Sequence, residues 1–318
     1  MGWDEMENLR YGILSTSSIA PRFIAAVREG NAGGIVAVSS RTLDKAKEKA
    51  TEWKIPTAYG SHEELLKDPN VNAVYISAVN SQHYPLAKAA LEHGKHVICE
   101  KPCTMSANQT RELFAIARER KCFLMEAEKM LFLPAVQALK RKIDAGELGQ
   151  IRMVEMSHSF AADYNAWMFD ESLGGGVLLS SGIYAVQLLL WLFGPIARIS
   201  GLRSCGPEGT ERQYILTGET ESGVLFSAKN STQAALDNTA RFYGTKGWAE
   251  LPEYWKARSV TFHTDGEETL EFPCKYELIY EAQHIKDCIS QGLLTSPVVT
   301  EDLSVSGIAA LERVKETW

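Results

Sequence analysis

Through the first 128 residues, short runs of almost unbroken apolar character recur: "YGILS", "GIVAVSS", "AVYISAV", "HVICE" and "FLMEAE". Between them lie stretches whose apolar residues return every three or four positions, such as "IAPRFIAAVREG", "LDKAKEKATEWK" and "PLAKAALEHG". The second pattern is that of a helix with one buried face. Runs without polar alternation are strands covered on both sides, and strands alternating with helices build a parallel sheet. Residues 1–128 are therefore expected to form a Rossmann-type, doubly wound domain.

After Pro134 the pattern changes. One helical stretch, "AVQALKRKIDAGELG", is followed by "IRMVEMSHSF", "ARISGLRSC", "QYILTGET", "GVLFSAKNS" and "TARFYGTKG", joined mostly by short polar turns. Strands that succeed one another without helices predict a large, mainly antiparallel open sheet in an α+β domain over residues 129–318. One face of such a sheet is expected to pair with further copies, as a homodimer or homotetramer. "GIYAVQLLLWLFG" is apolar nearly all round, which predicts a buried helix. "YELIYEAQHIKDCISQG" and "EDLSVSGIAALERVKET" close the chain as helices. The last has a start signal at Thr300 and is assigned to the second domain, with a return to the first as the alternative.

In a doubly wound sheet a ligand lies beyond the carboxyl ends of the strands. The first strand end reads "STSSIA": Ser15, Ser17 and Ala20 stand where a dinucleotide turn carries glycines, with Thr16, Ser18 and Ile19 completing it. Small hydroxyl side chains and a helix N-terminus still suit a phosphate. On these residues alone a serine-rich helix cap without a ligand is equally open. At the second strand end, Ser39, Ser40 and Arg41 replace the acid that takes the ribose of NAD, and they favour the 2′-phosphate of NADP. A solvated arginine is the alternative there.

Composition narrows the partners. Among 318 residues, 45% are hydrophobic and the net charge is −7, with a pI near 5.6. That field repels nucleic acid and anionic membranes and leaves a small molecule as the expected ligand. No apolar run is expected to reach the roughly 18 residues of a membrane span. The acidic start "MGWDEMENLR" is unlike an export signal. The six cysteines are scattered without a CxxC pair, which suggests reduced thiols in the cytoplasm. His93 and His96 flank Gly94 without a third ligand, so no metal site is expected.

The fifth strand ends in "CEKP". With "NSQHYPLAKAALEHGKHVICEKP", "FLPAVQALKRKIDAGELGQIR", "LGGGVLLSSGIYAV", "YGTKG" and "YEAQHIKDCISQGL", it resembles the glucose-fructose oxidoreductase and inositol dehydrogenase (Gfo/Idh/MocA) family over almost the whole chain. The nearest branch is that of the dimeric dihydrodiol and sugar dehydrogenases. The resemblance implies a catalytic Lys101 beside the nicotinamide, where a cation stabilises a developing alkoxide. Glu100 flanks it, and Asn80 and His83 are implied cofactor contacts, with helix capping as the competing role for His83. Tyr184 is the implied proton donor or acceptor; an unperturbed tyrosine, with a pKa of about 10, is too basic for neutral pH, and Lys101 is assigned to lower it. Ser180, one turn earlier, replaces the family's Asp, while Lys129 and Leu131 stand where relatives carry Trp and Arg. Ser180 and His158 are candidate substrate contacts. The implied activity is NADP-dependent hydride transfer on a sugar, polyol or cyclic diol. Ser15, Ser17 and Ser180 motivate the alternative, a non-catalytic sensor of NADP(H) or sugar.

Overall fold

The structure, a computed structural model, describes residues 9–318, so the acidic stretch 1–8 lies outside the described residues. The described chain forms two compact units. The first runs to Glu128 and takes in Tyr276–Ser304; the second comprises Lys129–Lys275 and Val305–Trp318.

The first unit is built on six parallel strands: β1 (Arg10–Leu14), β2 (Gly34–Ser39), β3 (Thr57–Tyr59), β4 (Ala73–Ile76), β5 (His96–Glu100) and β6 (Leu124–Ala127). Their order is β3-β2-β1-β4-β5-β6. The order reverses between β1 and β4, and ligands of such sheets gather at that point. β1 and β4 are buried almost along their whole length, as their unbroken apolar runs require. Helix α1 (Ala20–Glu29) is anchored by Phe23, whose ring stacks on Tyr75 at 3.8 Å and meets Tyr11 edge-on. The remaining crossovers carry α2 (Leu43–Trp53), α3 (His62–Leu66), α4 (Asn80–Glu92) and α5 (Ala107–Arg120).

The sequence division left the closing helices in the second domain, and the compact units differ there. Helix α8 (Ile279–Ser290) packs on α1. Ile279 and Gln283 lie over Gly30, Glu277 pairs with Arg22, and Leu124 N–H donates to Leu294 O at 3.0 Å. Helix α9 (Glu301–Glu316), with Thr300 Oγ1 accepting from Leu303 N–H at 3.1 Å, begins in the first unit and continues in the second.

In the second unit, α6 (Pro134–Asp144) precedes an eight-stranded sheet. Its strands are β7 (Ile151–Ser159), β8 (Ile196–Cys205), β9 (Glu211–Thr220), β10 (Leu225–Ser231), β11 (Thr239–Gly244), β12 (Trp248–Pro252), β13 (Ser259–His263) and β14 (Glu267–Glu271), in the order β14-β13-β12-β11-β7-β10-β9-β8. Only β7 and β10 pair in parallel. Val154, Met156, Leu216, Phe226, Phe242 and Phe262 form the buried face. On the other face, register aligns Leu202 with Ile215 and Leu225 with Met153, all four exposed. Helix α7 (Ile183–Phe193) is the apolar helix foreseen.

One expectation is corrected: an 18-residue window within Glu171–Phe193 has the length and mean hydropathy, 1.8, of a membrane span. Serines, glycines and a glutamine break the run without charging it, and 78% of the apolar window is buried inside the protein. It is an interior helix, buried as a core element is.

Candidate functional site

Candidate residues occur in both units. In the first, the turn after β1 does what glycines usually do there. Ser15 takes φ 92°, a left-handed backbone that L side chains rarely adopt, while its N–H donates to Ser39 O at 3.2 Å. Holding a non-glycine residue there costs about 1–3 kcal/mol, and such strain persists where the surroundings impose it. Thr16 and Ser18 lie at the rim, and Ile19 caps α1 without a side-chain hydrogen bond. Ser17 Oγ is buried and has no hydrogen-bond partner. A buried hydroxyl without a partner is expensive. Here it sits at a helix N-terminus, where a phosphate oxygen would satisfy it. The turn therefore fits a dinucleotide cofactor.

At the end of β2, Ser39 is already engaged: its hydroxyl hydrogen-bonds His62 Nδ1 at 2.8 Å and lies 3.4 Å from Ile13 O. Burial pushes the His62 imidazole below the usual histidine range. Ser40 is buried with its N–H on Tyr59 O at 3.3 Å, and Arg41 is exposed just before the Thr42 cap of α2. His62 was not singled out from sequence, because a histidine opening a five-residue helix carries no motif.

The turn after β5 is fixed on several sides. The Lys101–Pro102 peptide is cis. His83 is buried with Nδ1 2.8 Å from Pro102 O and Nε2 3.0 Å from Ala78 O. Burial lowers its pKa, and a neutral ring donates to one carbonyl at a time. The ring thus holds the turn through its backbone, a role the sequence did not suggest. Asn80 opens α4, is buried, and leaves the cap to Val79. Cys103 N–H donates to the buried Glu126 Oε1 at 2.8 Å, and Tyr75 OH donates to Glu100. Burial pushes the Lys101 ammonium below the usual lysine range, against the pull of Glu100, Glu128 and Glu126, which favour its charged form. A lysine so placed keeps its charge less firmly than a solvated one and can trade a proton more readily.

In the second unit, the glycine-rich approach to α7 has a steric cause. Gly174 and Gly176 take φ 78° and 105°, and a Cβ on Gly176 would strike the Glu211 carboxylate. Glu211 Oε1 accepts Leu178 N–H at 3.1 Å, and burial pushes its pKa up. Residues Leu178–Gly182 then form one wide π-helical turn leading into α7. Such turns concentrate at functional sites and are invisible to residue spacing. Ser180 Oγ lies 3.5 Å from Ser181 Oγ. Tyr184, on the first turn of α7, is buried, and Lys129 Nζ donates to its hydroxyl at 3.2 Å. Lys129 thus brings a cation to this phenol from within the same unit. His158, at the end of β7, is buried with its ring 3.7 Å from that of Trp255. Trp255 belongs to the turn Tyr254–Lys256, which packs on the Lys129–Phe132 turn. Its aromatic stretch was legible, but its partner His158, about a hundred residues away, was not.

Among the described residues no cluster of three metal-ligating side chains occurs. His93 and His96 bond separately, to Ala89 O and to Phe123 N–H.

Comparison with known proteins agrees with this anatomy. Residues 9–128 match the oxidoreductase family, NAD-binding Rossmann fold, GFO/IDH/MocA, and residues 136–250 match the GFO/IDH/MocA C-terminal domain. Trans-1,2-dihydrobenzene-1,2-diol dehydrogenase of Mus musculus is 35% identical over 303 residues, covering 92% of this chain and 91% of that protein. The Homo sapiens protein of that name is 35% identical over 327 residues, covering 97% and 96%. In fold, the chain is similar to levoglucosan dehydrogenase in complex with NADH and levoglucosan (TM-score 0.89, 19% identity, 98% of this chain and 97% of that one). It is also similar to KijD10, a 3-ketoreductase from Actinomadura kijaniata with NADP and TDP-benzene (TM-score 0.88, 23% identity, 98% of each). With both domains matched in order along the sequence, the chain belongs to the GFO/IDH/MocA family of oxidoreductases.

Proposed function

We propose that the protein is an NADP-dependent dehydrogenase or reductase that interconverts a hydroxyl and a carbonyl on a sugar, polyol or cyclic diol. Family membership gives the class, an NAD(P)-dependent dehydrogenase acting on CH–OH groups. When bound, the nicotinamide supplies or accepts the hydride. Within the protein, Ser15, Ser17 and the N-terminus of α1 bind the phosphates, and Ser40 and Arg41 select the 2′-phosphate. Glu100, Asn80 and His83 contact the cofactor, with His83 also holding the Lys101 turn through Pro102 O, and Lys101 stabilises negative charge developing on the substrate oxygen. Tyr184 carries the proton, with Ser180 and His158 as substrate contacts. The observation that carries this reading is the Lys101 turn: His83 and Glu126 immobilise the backbone around a lysine whose proton burial has loosened. Fixing a reactive group so completely serves catalysis more than sensing.

The exposed pairs Leu202–Ile215 and Leu225–Met153 support pairing of two copies through the open sheet face. Its cysteines, unpaired among the described residues, suit a cytoplasmic enzyme.

The test is steady-state turnover of NADPH and NADH with a panel of sugars, polyols and trans-cyclic diols. The wild type turns over one class with NADPH preferred, and Lys101→Ala lowers kcat/KM by about 10²–10³, the loss typical of one preorganised electrostatic group. Cofactor binding without turnover on any substrate would leave the sensor reading in its place.

A further inference from the structure

Lys129 is an unexpected residue in an unexpected position. It opens the turn Lys129–Phe132, is only 7% exposed, and is flanked by Met130, Leu131 and Phe132, all buried. The family resemblance puts an aromatic residue there. Burying an ammonium is costly unless it is held by hydrogen bonds. Lys129 Nζ donates to Tyr184 OH at 3.2 Å and stands 5.1 Å from the centre of the same ring. The two residues are 55 positions apart in sequence, and both are buried, so the pair is a product of the fold.

We propose that Lys129 is a positioning residue for Tyr184, orienting its hydroxyl and stabilising its phenolate so that the phenol exchanges protons near neutral pH. A hydrogen bond from a cation to an oxygen favours the charged form of that oxygen. Several titratable side chains lie on elements packed against α7, its π-turn and the Lys129 turn. Glu211 and Tyr214 of β9 are both pushed toward their neutral forms by burial. Tyr254 and Lys256 lie on the neighbouring turn, and Lys140 of α6 lies over Trp191 at the far end of α7. Arg212, Glu219 and Lys229 lie on β9 and β10, where Arg212 is paired with Glu208 and Glu219 with Arg198, while Lys229 is exposed; α6 adds Arg141, Lys142 and Asp144, and α9, whose Gly307 lies against Ile183 and Gln187 of α7, adds Glu312, Arg313, Lys315 and Glu316. The proposal rests on the reading of Tyr184 as the proton carrier, but its main test does not depend on turnover.

Phenolate absorbance is followed against pH in the full-length protein and in Lys129→Met, Lys129→Gln and Lys129→Arg, each referenced to the same protein carrying Tyr184→Phe. The difference isolates Tyr184. Its midpoint rises by about one to three pH units in Lys129→Met and Lys129→Gln, and Lys129→Arg restores it. The two neutral variants provide for failure of one to fold. A midpoint equal to that of the wild type in a folded neutral variant overturns the proposal. With substrate in hand, the neutral variants move the pH dependence of kcat by the same amount and change KM little. If Tyr184 shifts but no substrate is ever turned over, the Lys129 inference stands and the enzymatic reading fails. If turnover occurs and Tyr184 does not shift, the reverse holds.

Discussion

Two turns of this protein perform similar tasks with opposite residues. After β1, where glycines are expected, serines stand, and Ser15 is held at φ 92°. Before α7, the glycines remain, and Gly176 at φ 105° has no room for a side chain because Glu211 fills the space. The first turn is strained but open, and its side chains add hydroxyls where an anion would sit. The second is closed by a neighbour, and its glycine is a steric requirement. A side chain in place of glycine costs more where another atom occupies the space of its Cβ than where only the backbone is strained. Whether it does is a property of the fold that the local sequence does not display.

The comparison breaks most visibly at Gly176. Gly176→Ala adds backbone strain and overpacking, together about 2–6 kcal/mol of destabilisation, and misplaces Tyr184. Denaturant unfolding should register it; a variant with wild-type stability would mean that Glu211 moves aside freely.

An intermediate effect separates the two units by pH. His62, His83, His96 and His284 all belong to the first unit, and burial lowers the pKa of each from 6.5. Their folded pKa values lie below the unfolded one, so the stability they contribute is complete above pH 6.5 and is lost as pH falls through the folded values. Hydrogen exchange compared at pH 7.5 and below 6 should show the first unit opening more, and His83→Gln should lessen the difference. Equal loss of protection in the two units would contradict it.

The smallest effect is expected at the serine turn itself. Ser15→Gly relieves about 1–3 kcal/mol of strain and gives back about 0.4–1 kcal/mol through the freer unfolded chain. The net gain, of order 1 kcal/mol, appears as a small rise in Tm. A fall would show that Ser15 is held by contacts worth more than its strain.

These contrasts also mark what the chain discloses before it folds. The parallel sheet was legible because each of its main strands is an apolar run followed by a helix. The three-residue β3 and the charged edge strand β14, "EETLE", were not, since one is too short and the other faces solvent. Strand ends pointed to Ser15, Arg41 and Lys101, because topology alone puts ligands there. In the second unit the family resemblance supplied Tyr184, while the π-turn, Glu211 and the Lys129–Tyr184 bond came only with the structure. Each depends on residues distant in sequence brought together by sheet packing, and no periodicity encodes such pairs.

The central claim is that the serine turn after β1 still holds a dinucleotide. Fluorescence titration of NADPH and NADH into wild type, Arg41→Ala and Ser17→Ala tests it directly. The account predicts roughly micromolar NADPH binding, about −8 kcal/mol, weaker NADH, a loss of that preference in Arg41→Ala, and a lower affinity for both in Ser17→Ala. No binding of either nucleotide at millimolar concentration would contradict it.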